Sequence, residues 1–369
     1  MKEWSNQWNP FNSAKVLLWK DHLVGCAIEN YLPPVTVDID PSNRCNFDCP
    51  HCNAYDMIKS SGRDMPGKHM IKLVDFLAEW RDSTIYKTPN SACVSGGGEI
   101  YMNKDINVLL ERMEHHGMEV GIITNGSLMT DEDINIAARV SRWVGFSLDA
   151  ATPETYCKVK GMKNQDIFFK VLENIKRLVQ KVETIHSKCD VAIKYLITPD
   201  NALEIFEAIS IAKIIGVKDF HLRPAGWDNL SKVKTKPDYS SMISSINMQI
   251  DAGMSLETKN FRVFGIRHKF NPDMTKKINF SRCRAIAMLP TFGADGNVHT
   301  CFDMRGRKDL ILCRHEPDPS EILKVWNTEY HKDMIRRIDI NKCPRCTFGP
   351  YNEVVENVIM NDSMCMQFP

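Results

Sequence analysis

The sequence predicts an α/β protein: a parallel sheet, open or partly closed into a barrel, with a small cysteine-rich module after it. Three observations predict this. Short apolar runs alternate with amphipathic segments from residue 35 to residue 223. The alternation makes six strand–helix steps, nearly all of the parallel crossover kind, which favours a right-handed α/β sheet. Beyond residue 280 the alternation has ended and cysteines return, at 283, 301, 313, 343, 346 and 365.

The elements follow in order. VTVDID (35–40) reads as a strand and MIKLVDFLAEW (70–80) as a helix. ACVS (92–95) is a short strand. KDINVLLERMEHHG (104–117) places Ile106, Leu109, Leu110 and Met113 on one helix face, with Gly117 as a C-terminal cap. MEVGIITN (118–125) is a strand, and TDEDINIAARV (130–140) opens like an N-capped helix. WVGFSLD (143–149) is a strand, QDIFFKVLENIKRLVQKV (165–182) a long helix and DVAIKYLIT (190–198) a strand. ALEIFEAISIAKIIG (202–216) is a helix and VKDFHLR (217–223) the sixth strand. Residues 226–280 are polar, with a Lys-rich turn (KVKTKPD) and an ambiguous helical stretch at 238–252. The expected organisation is an extension over 1–34, the strand–helix body over 35–225, a connection over 226–280 and a metal-dependent module over 281–369.

A chain of 369 residues is long for one core and holds a large domain plus a smaller one. Its 43% apolar and 25% charged residues are ordinary for a soluble protein. A formal net charge of +1 gives no bulk attraction to nucleic acid or an anionic membrane. The N-terminus lacks an apolar secretory core, and no apolar run reaches the roughly 18–20 residues of a membrane span. The expected location is the cytoplasm, where thirteen cysteines point to metal or catalysis before disulfides.

RCNFDCPHCN (44–53) sets Cys45, Cys49 and Cys52 in eight positions. A disulfide does not suit the compartment. Zinc needs a fourth ligand, which His51 is placed to supply, but Cys-x3-Cys-x2-Cys is an odd zinc spacing. A redox dithiol uses Cys49 and Cys52 and leaves Cys45 without a task. An iron–sulfur cube fits better, with three thiolates on three irons and the fourth iron open.

CNFDCPHC resembles the signature of the radical S-adenosylmethionine (radical SAM) enzymes. The resemblance covers about residues 35–223 and implies a partial (β/α)6 barrel. It implies a [4Fe–4S] cluster whose open iron is chelated by SAM, which is cleaved on reduction to methionine and a 5′-deoxyadenosyl radical. The family usually has a larger aromatic before the third cysteine. Here that position is His51, expected near the adenine. The companion motifs lie at successive strand ends. SGGGE (95–99) suggests Gly97, Gly98 and Glu99 beside the cofactor's amino group. TNGS (124–127) and SLDA (147–150) suggest Asn125, Ser147 and Asp149 around its ribose and carboxylate. Each is also an ordinary strand–helix turn when taken alone.

Cys283, Cys301 and the CPRC pair Cys343 and Cys346 flank a hairpin-like turn, GADGNV. A zinc knuckle fits the same residues. Beside the first cluster, they resemble the auxiliary-cluster domains called SPASM and twitch. Because CTFGPYNEVVE carries no further cysteines, the shortened twitch form is implied, with a second [4Fe–4S] cluster on these four. Cys313 and Cys365 compete as ligands. A fully ligated cluster near the substrate is an electron acceptor, which favours a net oxidation. A cysteine donating hydrogen would make an epimerase instead, with Cys157 and Cys313 as the residues to test. Arg223 and His221, at the sixth strand end, are acid/base or ion-pairing groups. The expected substrate is a small polar metabolite such as a sugar or aminosugar. A peptide side chain is the alternative, and a non-catalytic iron–sulfur carrier is the rival from another class. An external one-electron reductant such as flavodoxin or ferredoxin is the expected partner.

Overall fold

Strands β1 (Val37–Ile39), β2 (Ser91–Val94), β3 (Glu119–Thr124), β4 (Ser141–Ser147), β5 (Asp190–Ile197) and β6 (Asp219–Pro224) pair in chain order, all parallel. They belong to a computed structural model that describes residues 13–226, 232–235, 237–265, 271–343 and 346–361. Strands covered on both faces need apolar residues in succession. Val120, Ile122, Val144, Phe146, Val191 and Ile193 are accordingly buried.

The covering layer is α1 (Lys20–Ala27), α2 (Tyr55–Ser61), α3 (Gly67–Asp82), α4 (Ile106–His115), α5 (Asp131–Val140), α6 (Pro153–Lys160), α7 (Asp166–Thr184), α8 (Ile205–Ile215) and α9 (Ile243–Met254). In α3 the apolar spacing puts Met70, Leu73, Val74 and Leu77 on one buried face. Burying each such side chain contributes about 1.5–3 kcal/mol. The N-terminus of α5 is a capping box. The Thr130 hydroxyl accepts from the Asp133 N–H, and the Thr130 N–H donates to the Asp133 carboxylate.

The structure adds elements to the expected order. A seventh parallel strand, β7 (Arg262–Gly265), pairs with β6. It reads as connection because, of its four residues, only Val263 is buried. The ambiguous stretch at 238–252 overlaps α9, whose Gly253 abuts Ile209 of α8. The short α1, α2 and α6 carry too few turns for a clear apolar period.

GADGNV forms the expected hairpin between β8 (Thr291–Phe292) and β9 (Asn297–His299), with Gly296 at φ +82°. β10 (Ile311–Arg314) then pairs with β9. β8 lies parallel against β1, so among the described residues one ten-stranded sheet runs β10-β9-β8-β1-β2-β3-β4-β5-β6-β7. The sheet itself crosses the boundary expected near residue 280. The chain ahead of β1 is also tied to residues beyond 280. Glu29 ion-pairs with Arg282 at 2.5 Å and with Arg336, and the Trp326 indole donates to the Leu32 carbonyl at 3.0 Å. Helices α10 (Glu329–Arg336) and α11 (Gly349–Val354) complete this region. Among the described residues no helix is long and apolar enough to cross a membrane.

Candidate active site

The carboxyl ends of β1 to β6 open into a cavity of about 450 Å³. Chemistry in such folds sits at this end of the strands. Cys45, Cys49 and Cys52 line the cavity on the loop between β1 and α2. Burial pushes the Cys45 thiol up to about 11 and the Cys49 thiol up to about 12. Free thiols so buried stay protonated, and metal binding has to displace their protons.

The cysteine loop is pinned by its neighbours. The Gly98 N–H donates to the Ser42 carbonyl at 2.9 Å, and the Glu99 N–H to the Arg44 carbonyl at 2.8 Å. A Cβ on Gly98 would overlap the Arg44 carbonyl, so only glycine permits this approach. On the other side, the Asp48 N–H donates to the Lys160 carbonyl at 3.0 Å. There α6 ends at Gly161 with φ +62°, and a side chain on Gly161 would overlap the Asp48 carbonyl.

The structure places every residue expected around SAM in this cavity: His51, Gly97, Gly98, Glu99, Asn125, Ser147 and Asp149. Several of them are committed to each other. The Glu99 carboxylate accepts from the Thr124 hydroxyl at 2.5 Å, the Asn125 N–H at 2.7 Å and the Tyr101 N–H at 3.2 Å. The Asn125 side chain donates to Asn46 at 2.9 Å and accepts from the Ser127 N–H and hydroxyl. Asp149 has φ +58° and accepts from the Lys160 ammonium at 2.5 Å and the Leu196 N–H at 2.6 Å. His51 lies 4.0 Å from the Asp149 carboxylate, and burial holds its pKa down at about 4, so it faces the cavity as a neutral imidazole.

Lys160 was not legible as a site residue. Its side chain is 3% exposed and its charge acts on all three cysteines. Burial opposes the ammonium, but Asp149 and Cys49 outweigh it and hold the pKa above the ordinary value. Such a buried cation would compensate the negative charge that three thiolates bring to a bound cluster. Asp38 and Cys93 also line the cavity unannounced. The available signal was VTVDID itself, because Asp38 and Asp40 alternate with apolar residues in a strand buried throughout.

Arg223 lines the cavity at the end of β6. Its neighbour in sequence, His221, contacts the Lys194 ammonium deeper in the barrel. Cys157 and Cys313 do not line the cavity. Cys157 lies on α6 with its thiol toward the outside, and Cys313 lies on β10 against Glu321. The structure therefore brings neither to the place where a hydrogen donor must stand.

Cys343 and Cys346 raise the thiol pKa of Cys283, and Cys283 and Cys343 that of Cys301, although among the described residues no three of them stand close enough together to hold a metal ion as placed. Asn352 fixes Cys283, accepting from the N–H groups of Arg284 and Ala285 at 2.7 and 2.8 Å. The Lys276 ammonium fastens the approach to Cys343 by donating to the carbonyls of Ile340, Asn341 and Cys343. Cys313 is not with them, and Cys365 lies outside the described residues. Phe302 and Thr347, which follow Cys301 and Cys346 in sequence, line the same cavity as the first cysteine loop, and so does Arg305.

Residues 39–187 match the model of the radical SAM superfamily. Those residues are a radical SAM domain, the domain of a superfamily whose members use SAM and a [4Fe–4S] cluster. An uncharacterised protein of Archaeoglobus fulgidus is 28% identical over 138 residues, 37% of this chain and 31% of that protein, so the match spans about a third of that relative's length. A probable GTP 3′,8-cyclase of Saccharolobus islandicus is 23% identical over 299 residues, 79% of this chain and 86% of that protein. The crystal structure of Streptococcus suis SuiB bound to its precursor peptide SuiA shares the fold, with a TM-score of 0.63 and 18% identity over 96% of this chain and 81% of that one. The residue chemistry suits such cofactors: three thiols and the buried Lys160 ammonium line the cavity, and Cys283 lies within electrostatic reach of Cys343 and Cys346.

Proposed function

We propose that the protein oxidises a small polar metabolite, such as a sugar or aminosugar, by removing hydrogen from an unactivated carbon, with the second cluster as electron acceptor. One observation carries the reading: Phe302 and Thr347, adjacent to Cys301 and Cys346, line the same cavity as Cys45, Cys49 and Cys52. A molecule held there meets the first cysteine loop on one part of the cavity and the residues next to Cys301 and Cys346 on another. When bound, SAM and its cluster supply the homolytic removal of a hydrogen atom.

The chain's own residues do the rest. Lys160 and Asp149 set the charge beside the first cysteine loop, and Glu99 holds the ends of β2 and β3 in register. Asp38, Arg223 and Arg305 give the substrate end of the cavity both signs of charge, which suits a hydroxylated or amino-bearing molecule better than an apolar one. The probable GTP cyclase named above acts, by its name, on GTP, which is also a small polar molecule.

A second reading is a peptide or protein side-chain maturase, and SuiB, solved with a precursor peptide, favours it. The deciding experiment uses reconstituted, reduced enzyme with SAM and a panel of carbon-deuterated probes: glucosamine, N-acetylglucosamine, GTP and a serine- and cysteine-containing peptide. Deuterium appearing in 5′-deoxyadenosine identifies the class attacked. Transfer from the peptide alone overturns the first reading.

A further inference from the structure

We propose that Asp38 is the proton acceptor of this oxidation, and that the Cys93 thiol positions its carboxylate. The inference rests on the reading of the site as an oxidising radical centre and deepens it.

Three carboxylates line the cavity: Asp38, Glu99 and Asp149. Glu99 already accepts from three donors of its own chain, and Asp149 accepts from Lys160 and the Leu196 N–H. Asp40, the next acid on β1, is ion-paired with Arg305 at 2.8 Å and does not line the cavity. Asp38 differs from all of these. Asp38 stands directly beside Cys93 in the register of β1 and β2, where the thiol, a weak donor, acts on its carboxylate and leaves it acceptor capacity.

The charged and titratable groups around Asp38 are Asp40 on its own strand, Cys93 on β2, and Asp303 and Arg305 from the segment after Cys301. Burial pushes the Asp38 carboxyl up to about 7, Arg305 pulls against this and Asp40 adds to it. A base that titrates near the working pH is effective in proton transfer. Burial and the neighbouring carboxylate hold the Cys93 pKa far above its ordinary value, so its S–H remains a donor and not a thiolate.

The step balances as follows. A substrate carbon bearing X–H, with X oxygen or nitrogen, loses its hydrogen atom to the SAM-derived acceptor. The X–H proton passes to the Asp38 carboxylate, which becomes a neutral acid. The remaining electron would pass to a one-electron acceptor, the chemistry an iron–sulfur cluster held by the second cysteine group would supply, as the C=X bond forms. Two hydrogens and two electrons have then left the substrate. Asp38 returns its proton to water after product release.

Two measurements test this on the reconstituted holoenzyme. The first is the ratio of oxidised product to deuterated 5′-deoxyadenosine, using the panel probe that transfers deuterium. Asp38→Asn is expected to lower this ratio by about 10²-fold or more, the usual worth of a general base, with Asp38→Glu partly restoring it. In the wild type the ratio rises with pH through about 7 and then levels, while in Asp38→Asn it is flat. The second is the infrared S–H stretch without substrate. The band lost in Cys93→Ala should shift with a midpoint near pH 7 in the wild type and not in Asp38→Asn, provided iron and sulfide contents match. A wild-type ratio in Asp38→Asn, or a Cys93 band indifferent to pH, overturns the proposal. Absence of deuterium transfer in the wild type from every probe instead overturns the functional reading on which it rests.

Discussion

The Lys160 ammonium stands 2.5 Å from the Asp149 carboxylate, and both are almost sealed from solvent, at 3% and 1% exposure. The pair joins the end of α6 to the turn after β4, directly behind the first cysteine loop. Removing one partner of a buried pair strands the other's charge. Lys160→Met should therefore cost about 3–5 kcal/mol, read as a lowered urea midpoint with unchanged slope. The double variant Lys160→Met/Asp149→Asn should lose less than the sum of the single changes. Additive losses would mean that the pair does not act as a unit.

Gly98→Ala should disrupt the contact between the glycine run and the cysteine loop, because the new methyl meets the Arg44 carbonyl. Backbone, unlike a flexible side-chain end, does not yield cheaply to an added carbon, and overpacking costs about 1–3 kcal/mol. The measurement is SAM affinity by equilibrium dialysis beside the thermal midpoint. Both should fall together, whereas Gly117→Ala, at an open helix end, should lower stability alone.

Glu99→Gln keeps the shape of the side chain but turns one acceptor oxygen into a donor facing Thr124 Oγ1 or the Asn125 N–H. Loss of a hydrogen bond to a charged group costs about 1.5–3 kcal/mol. Iron content after reconstitution should hold while stability falls, because Glu99 grips β3 and not the thiols. Loss of iron at unchanged stability would assign Glu99 to the cluster instead.

His69 Nε2 lies 2.8 Å from His315 Nδ1, and His315 Nε2 donates to the Gly293 carbonyl, so α3 is tied to the hairpin by two neutral rings. Burial holds His315 down at about 4 and lowers His69 as well. The unfolded rings titrate near 6.5, so below that pH the unfolded chain binds protons that the folded chain does not. This contribution to stability is complete above pH 6.5 and is lost as the pH falls towards 4, at up to about 1.4 kcal/mol per pH unit for each ring. Urea midpoints between pH 7.5 and 5.5 should fall more steeply in the wild type than in His315→Gln. Equal slopes would refute the neutral pair.

The parallel strands and both cysteine groups were legible because each leaves a local signature. Val120, Ile122 and Ile123, and Val144 and Phe146, form short apolar runs interrupted only by glycine, and CNFDCPHC and CPRC carry fixed spacings. What was hidden depends on contacts between distant segments. Asp38 and Cys93 meet only when β1 and β2 pair, and Lys160 meets the cysteine loop only when α6 folds back on Asp48. β8 joins β1 across some 250 residues of chain, which no local pattern announces. The hydrogen-donor roles considered for Cys157 and Cys313 failed for the same reason. Their distance from the cavity is a property of the fold and not of their neighbours in sequence.

The most direct measurement of the central claim is 5′-deoxyadenosine and product yield in anaerobically reconstituted, reduced protein with SAM and the active panel probe, compared with Cys49→Ala and with Cys343→Ala/Cys346→Ala. The account predicts that the wild type forms both. Cys49→Ala should form neither, while the double variant should cleave SAM yet lose oxidised product and part of its iron. Cleavage in Cys49→Ala, or full product yield in the double variant, would contradict it.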